Sequence, residues 1–198
     1  RIRTRAPDIA ATVTLTIGSP VTLPDFTADL MAGLDLATFN HHCLDAAFNV
    51  TARERWEDDV ALIRDASRGL PIMIQELGCP VGYGDGGMNA EPTRPNGNGG
   101  NPDIQDAYFQ YFDELFLTDP QFRAATVFQL YDWSPQLARL FGDFLRSEGE
   151  TVIADRFEEW LATIGVCRWA DGTCRPAWTT FLNMLGRQSD ARQALSTS

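Results

Sequence analysis

The chain has 198 residues, 44% of them hydrophobic, which is enough for one sizeable core. Its formal net charge is −11, none of its 16 basic residues is lysine and no basic stripe is present, so composition argues against nucleic acid and anionic membrane surfaces as partners. No uninterrupted apolar stretch approaches the ~20 residues that a membrane span needs.

The first residues, Arg1 to Pro7, are basic but lead into no apolar signal-peptide core. Ala11 to Ile17 is rich in β-branched residues and stops at Gly18-Ser19-Pro20, which predicts a strand. A short helix over Phe26 to Met31 follows, then a second strand over Leu36 to Asn40 that ends in His41-His42-Cys43. Thr51 and Glu54 have the spacing of a capping box, and Trp56, Val60, Ile63 and Ala66 share one face of the helix it would open. Leu70 to Glu76 reads as a strand buried on both faces, as in parallel sheets.

The segment from Gly78 to Gly100 carries eight glycines and predicts a long irregular loop. Asn101 then caps a helix with Pro102 at its first position and Ile104, Tyr108, Tyr111, Phe112 and Leu115 on its buried stripe. A fourth strand is predicted over Ala125 to Tyr131, and helices near Thr151 to Ile164 and Ala177 to Leu185 close the chain. Cys167 and Cys174 bracket a turn-forming segment. A small disulfide loop and free thiols both suit it, and a bridge would imply an oxidising compartment, secreted or periplasmic.

Four alternations of strand and helix imply an α/β fold with a parallel sheet and right-handed crossovers. Four strands make either a small open sheet or half of an eight-stranded barrel, and composition does not choose between them. Glu76 is a carboxylate where a buried strand gives way to a loop, the place where α/β barrels hold their chemistry. Some fifty residues on, Val127 to Trp133 reads as a second buried strand ending in polar and aromatic groups.

Pro71-Ile72-Met73-Ile74-Gln75-Glu76-Leu77-Gly78 resembles the seventh strand of the large clan of retaining (β/α)8 TIM-barrel glycoside hydrolases, where the terminal Glu is the nucleophile. Phe128-Gln129-Leu130-Tyr131-Asp132-Trp133 resembles the eighth, whose terminal Trp floors the sugar subsite. Ala37-Thr38-Phe39-Asn40-His41-His42 resembles the sixth, with histidines where Asn-Tyr-Tyr is common. Ala170-Asp171-Gly172-Thr173-Cys174-Arg175-Pro176-Ala177-Trp178 resembles the segment that closes these enzymes.

The resemblance implies that residues 1–198 are the C-terminal four βα units of one TIM-barrel catalytic domain, whose partner is the N-terminal half of the same barrel. It implies retaining hydrolysis of a β-linked oligo- or polysaccharide. Glu76 would be the nucleophile, Trp133 the stacking platform, and Asn40, His41, His42, Tyr131 and Asp132 the polar and aromatic lining. No cofactor is implied. Clan members carry their acid/base Glu after an Asn on strand four. No Asn-Glu pair occurs here, so that group is expected upstream.

Blander readings stand beside these. Glu76 could be a solvated or capping carboxylate, Trp133 plain core, and Tyr131 or Asp132 parts of a loop network. His41 and His42 look like metal ligands, yet adjacent strand residues point to opposite faces, so one is expected to line the pocket and the other to pack. Two rival functions follow. One is a non-catalytic carbohydrate-binding or scaffold protein on the same fold; the other is an unrelated open-sheet α/β domain in which Glu76 has no special meaning.

Overall fold

Four strands, β1 (Thr12–Thr16), β2 (Leu36–His42), β3 (Ile72–Gly78) and β4 (Phe122–Val127), form one sheet in the order β1-β2-β3-β4, every neighbouring pair parallel. The computed structural model describes residues 11–16, 24–46, 48–83 and 101–196. The helices are α1 (Pro24–Met31), α2 (Arg53–Ser67), α3 (Pro102–Thr118), α4 (Pro135–Ser147), α5 (Thr151–Thr163) and α6 (Pro176–Ser196). The expected breaker Gly18-Ser19-Pro20 and most of the glycine-rich loop lie outside the described residues.

The chain divides into two compact units. The first comprises Arg1–Cys43, Thr51–Gly78 and Leu115–Phe128, and the second Leu44–Val50, Cys79–Glu114 and Gln129–Ser198. The first holds the sheet with α1 and α2. Leu15, Ala37, Phe39, His41, Ile72, Ile74, Leu77 and Phe122 are buried on one face of it. Helix α2 contributes Trp56, Asp59, Val60, Ile63 and Ser67 to this core. Gln121 fastens the far end, its side-chain nitrogen donating to the Ser67 hydroxyl at 2.7 Å and the Leu70 carbonyl at 2.9 Å.

The opposite face is polar apart from Met73, which stands in register with Thr38. Thr12 and Thr38 share a hydrogen bond between their hydroxyls, and Thr14 donates to the Gln75 side chain. Asn40, His42, Glu76 and Thr126 continue it. A parallel sheet ordinarily reads as Val, Ile and Leu on both sides. The strand order is strictly sequential, with one face mostly apolar and the other mostly polar. This differs from a doubly wound sheet, whose strand order reverses and whose helices cover both sides.

Several boundaries depart from the sequence reading. The capping box does not form: Ala52 is the N-cap and makes no side-chain bond. The Thr51 hydroxyl instead donates to the Cys43 carbonyl at 3.2 Å and accepts from Trp56 Nε1 at 3.1 Å. Strand β4 lies three residues earlier than expected and ends at Val127. The stretch Phe128 to Trp133 is therefore not a buried strand; Leu130 is 45% and Tyr131 46% exposed. Helix α4 was not foreseen, although Ser134 and Pro135 announce it: the Ser134 side chain accepts from Leu137 N–H at 3.2 Å with Pro at the helix start. The Asn101 cap forms as expected, accepting from Ile104 N–H at 3.3 Å.

In the second unit α4 and α5 form an antiparallel pair. Arg146 bridges Asp143, Asp155 and Glu158, and Gly142 lets the Glu158 carboxylate close in, since a Cβ there would lie 2.8 Å from Glu158 Oε2 and push that side chain aside. Beyond the pair the chain returns to stitch onto Leu130–Trp133. Cys167 N–H donates to Leu130 O at 2.9 Å, Asp132 N–H to Cys167 O at 3.0 Å, and Trp133 N–H to Leu161 O at 3.1 Å. The Gln105 side chain of α3 donates to Cys79 O at 2.7 Å and Gly165 O at 3.1 Å. Cys167 and Cys174 form a disulfide, and Cys43 and Cys79 are disulfide-bonded too.

Gly165 is the tightest point of this stitch: a Cβ would lie 2.2 Å from Asp132 N and 2.3 Å from Tyr131 C, both backbone atoms that cannot step aside. Gly165→Ala is expected to cost about 3 kcal/mol or more of the second unit's stability, because overpacking against backbone has no rotamer escape. Urea unfolding followed by tryptophan fluorescence checks this, and an unchanged midpoint would contradict the packing described.

Candidate functional site

The polar face becomes a site where β2 and β3 end. Phe39 stands opposite Ile74 and Asn40 opposite Glu76, so Gln75 is an extra residue, a bulge in β3. Strict alternation from Ile72 and Ile74 would turn position 76 into the core. The bulge turns Glu76 outward instead and returns Leu77 to the core. Burial agrees: Ile72, Ile74 and Leu77 are fully buried, while the Glu76 side chain is 34% exposed. Gln75 is held from both sides, its side chain accepting from the Thr14 hydroxyl and its carbonyl from the Thr126 hydroxyl.

Around Glu76 the sheet gathers Asn40 and His42. His42 Nε2 lies 3.5 Å from Glu76 Oε2, and the Phe128 ring meets the imidazole edge-on with centroids 5.2 Å apart. Burial, and then the neighbouring His41, lower the His42 pKa from 6.5 to about 4, against a hydrogen bond to the Gly78 backbone that raises it. The imidazole is therefore neutral at ordinary pH and meets Glu76 as a neutral polar group rather than as half of an ion pair. Asn40 Oδ1 is buried and has no hydrogen-bond partner.

His41 does not join this group. It faces the helix side, wholly buried, with Nε2 3.4 Å from Asp59 Oδ2 on α2, and Arg55 approaches the same carboxylate at 3.0 Å. The two histidines thus serve opposite faces of β2, and His41 belongs to the core rather than the lining. Among the described residues no three His, Cys, Asp or Glu converge to hold a metal ion.

The remaining sequence candidates lie in the second unit. Trp133 is half-buried, and its ring meets Phe141 of α4 edge-on at 5.2 Å. Tyr131 is largely exposed and pairs through its backbone with Cys167. Asp132 is buried in the loop network: Arg175 donates to both carboxylate oxygens, at 2.9 and 2.7 Å, and Gly165 N–H to Oδ1 at 2.9 Å. Burial pushes its pKa up, while Arg175 and the backbone donors of Gly165 and Trp169 pull it down. Sequence reasoning missed this pair and the roles of Gln75 and Phe128. The alternation of strand residues hinted at Phe128, but nothing in the chain near Gln75 signals a bulge.

No protein-family model matches the chain, and no curated protein matches it in sequence. Solved structures do match in shape. The catalytic core of a xylanase A superposes with a TM-score of 0.57 at 15% identity, covering 92% of this chain and 51% of that one. A glycoside hydrolase family 17 β-1,3-glucanosyltransferase from Rhizomucor miehei gives 0.50 at 14%, over 89% and 53%. An active-site mutant of it, in complex with laminaritriose, gives the same values. An FMN-binding β-glucuronidase from Facaelibacterium prausnitzii L2-6 gives 0.51 at 15%, over 89% and 23%. The chain thus spans about half the length of the first two proteins and less of the third. At such identities the likeness speaks for fold alone, an α/β fold with a parallel sheet, and the solved structures that share it are glycoside hydrolases.

Proposed function

We propose that the chain is the C-terminal half of a (β/α)8 barrel in a retaining glycoside hydrolase acting on a β-linked oligo- or polysaccharide. The observation that carries the reading is the turning of Glu76 onto a polar sheet face at a strand end, with His42 at 3.5 Å and Asn40 beside it. A retaining enzyme needs an ionised carboxylate at the anomeric carbon and a second carboxyl group about 5–5.5 Å away. Glu76 takes the first role, and an upstream segment of the same barrel supplies the second. The sequential parallel order favours this, because a sheet whose outer strands β1 and β4 each pair on one side among the described residues is completed into a barrel by four more strands.

In this reading His42 stands where the clan commonly has tyrosine. As a neutral imidazole it orients the Glu76 carboxylate for attack. Asn40 Oδ1, buried and without a partner, is suited to accept a hydroxyl of the bound sugar. Trp133 supplies the flat ring that stacks on the apolar sugar face. Asp132 holds the scaffold and stays outside the substrate contacts. The disulfides fit an exported protein.

Treatment of the full protein with a 2-deoxy-2-fluoro β-glycosyl fluoride is expected to add one sugar to the peptide bearing Glu76. Glu76→Gln is expected to abolish the label and lower turnover by about 10³-fold or more. A label on another carboxylate, or full turnover by Glu76→Gln, would overturn the assignment. Absence of any turnover by the parent protein would favour the carbohydrate-binding rival.

The buried neutral His42 also has a pH signature. The unfolded imidazole takes up a proton near 6.5 and the folded one only near 4, so between these values the unfolded state binds more protons. Stability is therefore full above about pH 6.5 and falls as pH drops towards 4. The loss between pH 7 and pH 5 is expected to be about 2 kcal/mol, and His42→Gln is expected to lack that component. Urea titrations of both proteins at the two pH values decide it.

A further inference from the structure

The hairpin between Cys167 and Cys174 is built more firmly than a surface turn requires. The disulfide closes its base, where the two cysteines also form an antiparallel bridge. Arg168 N–H donates to Thr173 O at 2.8 Å and Gly172 N–H to Arg168 O at 3.1 Å. Asp171 Oδ1 accepts from the Thr173 N–H at 2.9 Å and from its hydroxyl at 2.6 Å. Gly172 supplies the positive φ of 71° that the turn needs. Trp169 N–H is held by the buried Asp132 carboxylate, which Arg175 fixes in turn.

What this framework presents is an indole. Every residue from Trp169 to Cys174 is exposed, and Trp169 is 58% exposed among Ala170, Asp171, Gly172 and Thr173. A tryptophan so placed adds little to the core, and the rigidity around it lowers the entropy cost of binding something there. A flat amphipathic ring is the group that stacks on the apolar face of a pyranose, and an exposed carboxylate two residues away accepts hydrogen bonds from sugar hydroxyls. Thr173 engages Asp171 Oδ1, and the carboxylate stands exposed at the hairpin tip with the Arg168 charge nearby. Tyr131, itself largely exposed and paired with Cys167, adds a second ring at the hairpin's base.

We propose that the Cys167–Cys174 hairpin is an accessory polysaccharide-binding site, built from other residues than the Glu76 site, in which Trp169 stacks on a pyranose ring and Asp171 accepts a hydroxyl hydrogen bond. The choice of a sugar as ligand rests on the carbohydrate reading given above. The site retains long substrate without touching the reacting bond.

Affinity electrophoresis of the full protein through gels containing a soluble β-1,3-glucan or a soluble xylan tests it, with Trp169→Ala, Trp169→Phe and Trp133→Ala run alongside. Trp169→Ala is expected to weaken retardation about tenfold, Trp169→Phe to keep most of it, and Trp133→Ala to keep the Trp169-dependent part. Turnover of a short oligosaccharide is expected to be unchanged in Trp169→Ala, since the hairpin tip serves only long chains. Retardation equal to wild type in Trp169→Ala but lost in Trp133→Ala would overturn this site and leave the Glu76 reading standing. A wild-type protein that neither polysaccharide retards also overturns it, whereas the Glu76 reading is decided separately by the covalent label.

Discussion

One extra residue governs the chemistry of the sheet. Side chains on a strand alternate with a period of two, so the apolar positions Ile72 and Ile74 would commit Glu76 to the core beside them. A carboxylate buried there without a cation costs several kcal/mol, and the chain avoids this by bulging at Gln75. The bulge is paid for locally: Gln75 gives its side chain to Thr14 and its carbonyl to Thr126, both through hydroxyls on the same polar face. The threonines of β1 and β4 are therefore part of what holds Glu76 outward, even though neither approaches it in sequence.

The same alternation sorts the two histidines. His41 and His42 are identical in chemistry and adjacent in the chain, yet one is locked against Asp59 in the core and the other stands beside Glu76. His41 packs the end of β2 against α2, and the same strand end carries the second imidazole to the carboxylate. A site carried on strand ends with a packed face behind it is more exact than one carried on loops.

How much of this could be read from the chain depended on whether the signal was local. Strands β1 to β3, the Asn101 cap and the stripe of α3 were readable because hydrophobic period and cap residues act within a few positions. Strand β4 was misplaced because Val127 to Tyr131 has the stronger β propensity, while Phe122 and Ala124, ahead of the predicted start at Ala125, lie in the sheet by pairing with Ile72 and Met73. The capping box failed for a tertiary reason, the Thr51 hydroxyl being claimed by Cys43 and Trp56. Glu76 was readable as a strand-end carboxylate. The bulge that exposes it was not, since Gln75 is neither glycine nor a turn former and the register is set by the neighbouring strands.

The second unit follows a different logic, with polar groups in place of a sheet. The Asp132–Arg175 pair is buried on both sides, at 6% and 8% exposure, and each further donor to the carboxylate offsets the cost of burying it. Those donors, Gly165 N–H and Trp169 N–H, come from the segment that must be brought against Tyr131 and Asp132, and only glycine allows that approach at 165. One buried ion pair thus sets the register of the return segment and, through Trp169, the attitude of the hairpin beyond it. A charge buried at this cost is better explained by positioning than by stability, since apolar groups of the same volume would pack as well and hold neither backbone donor.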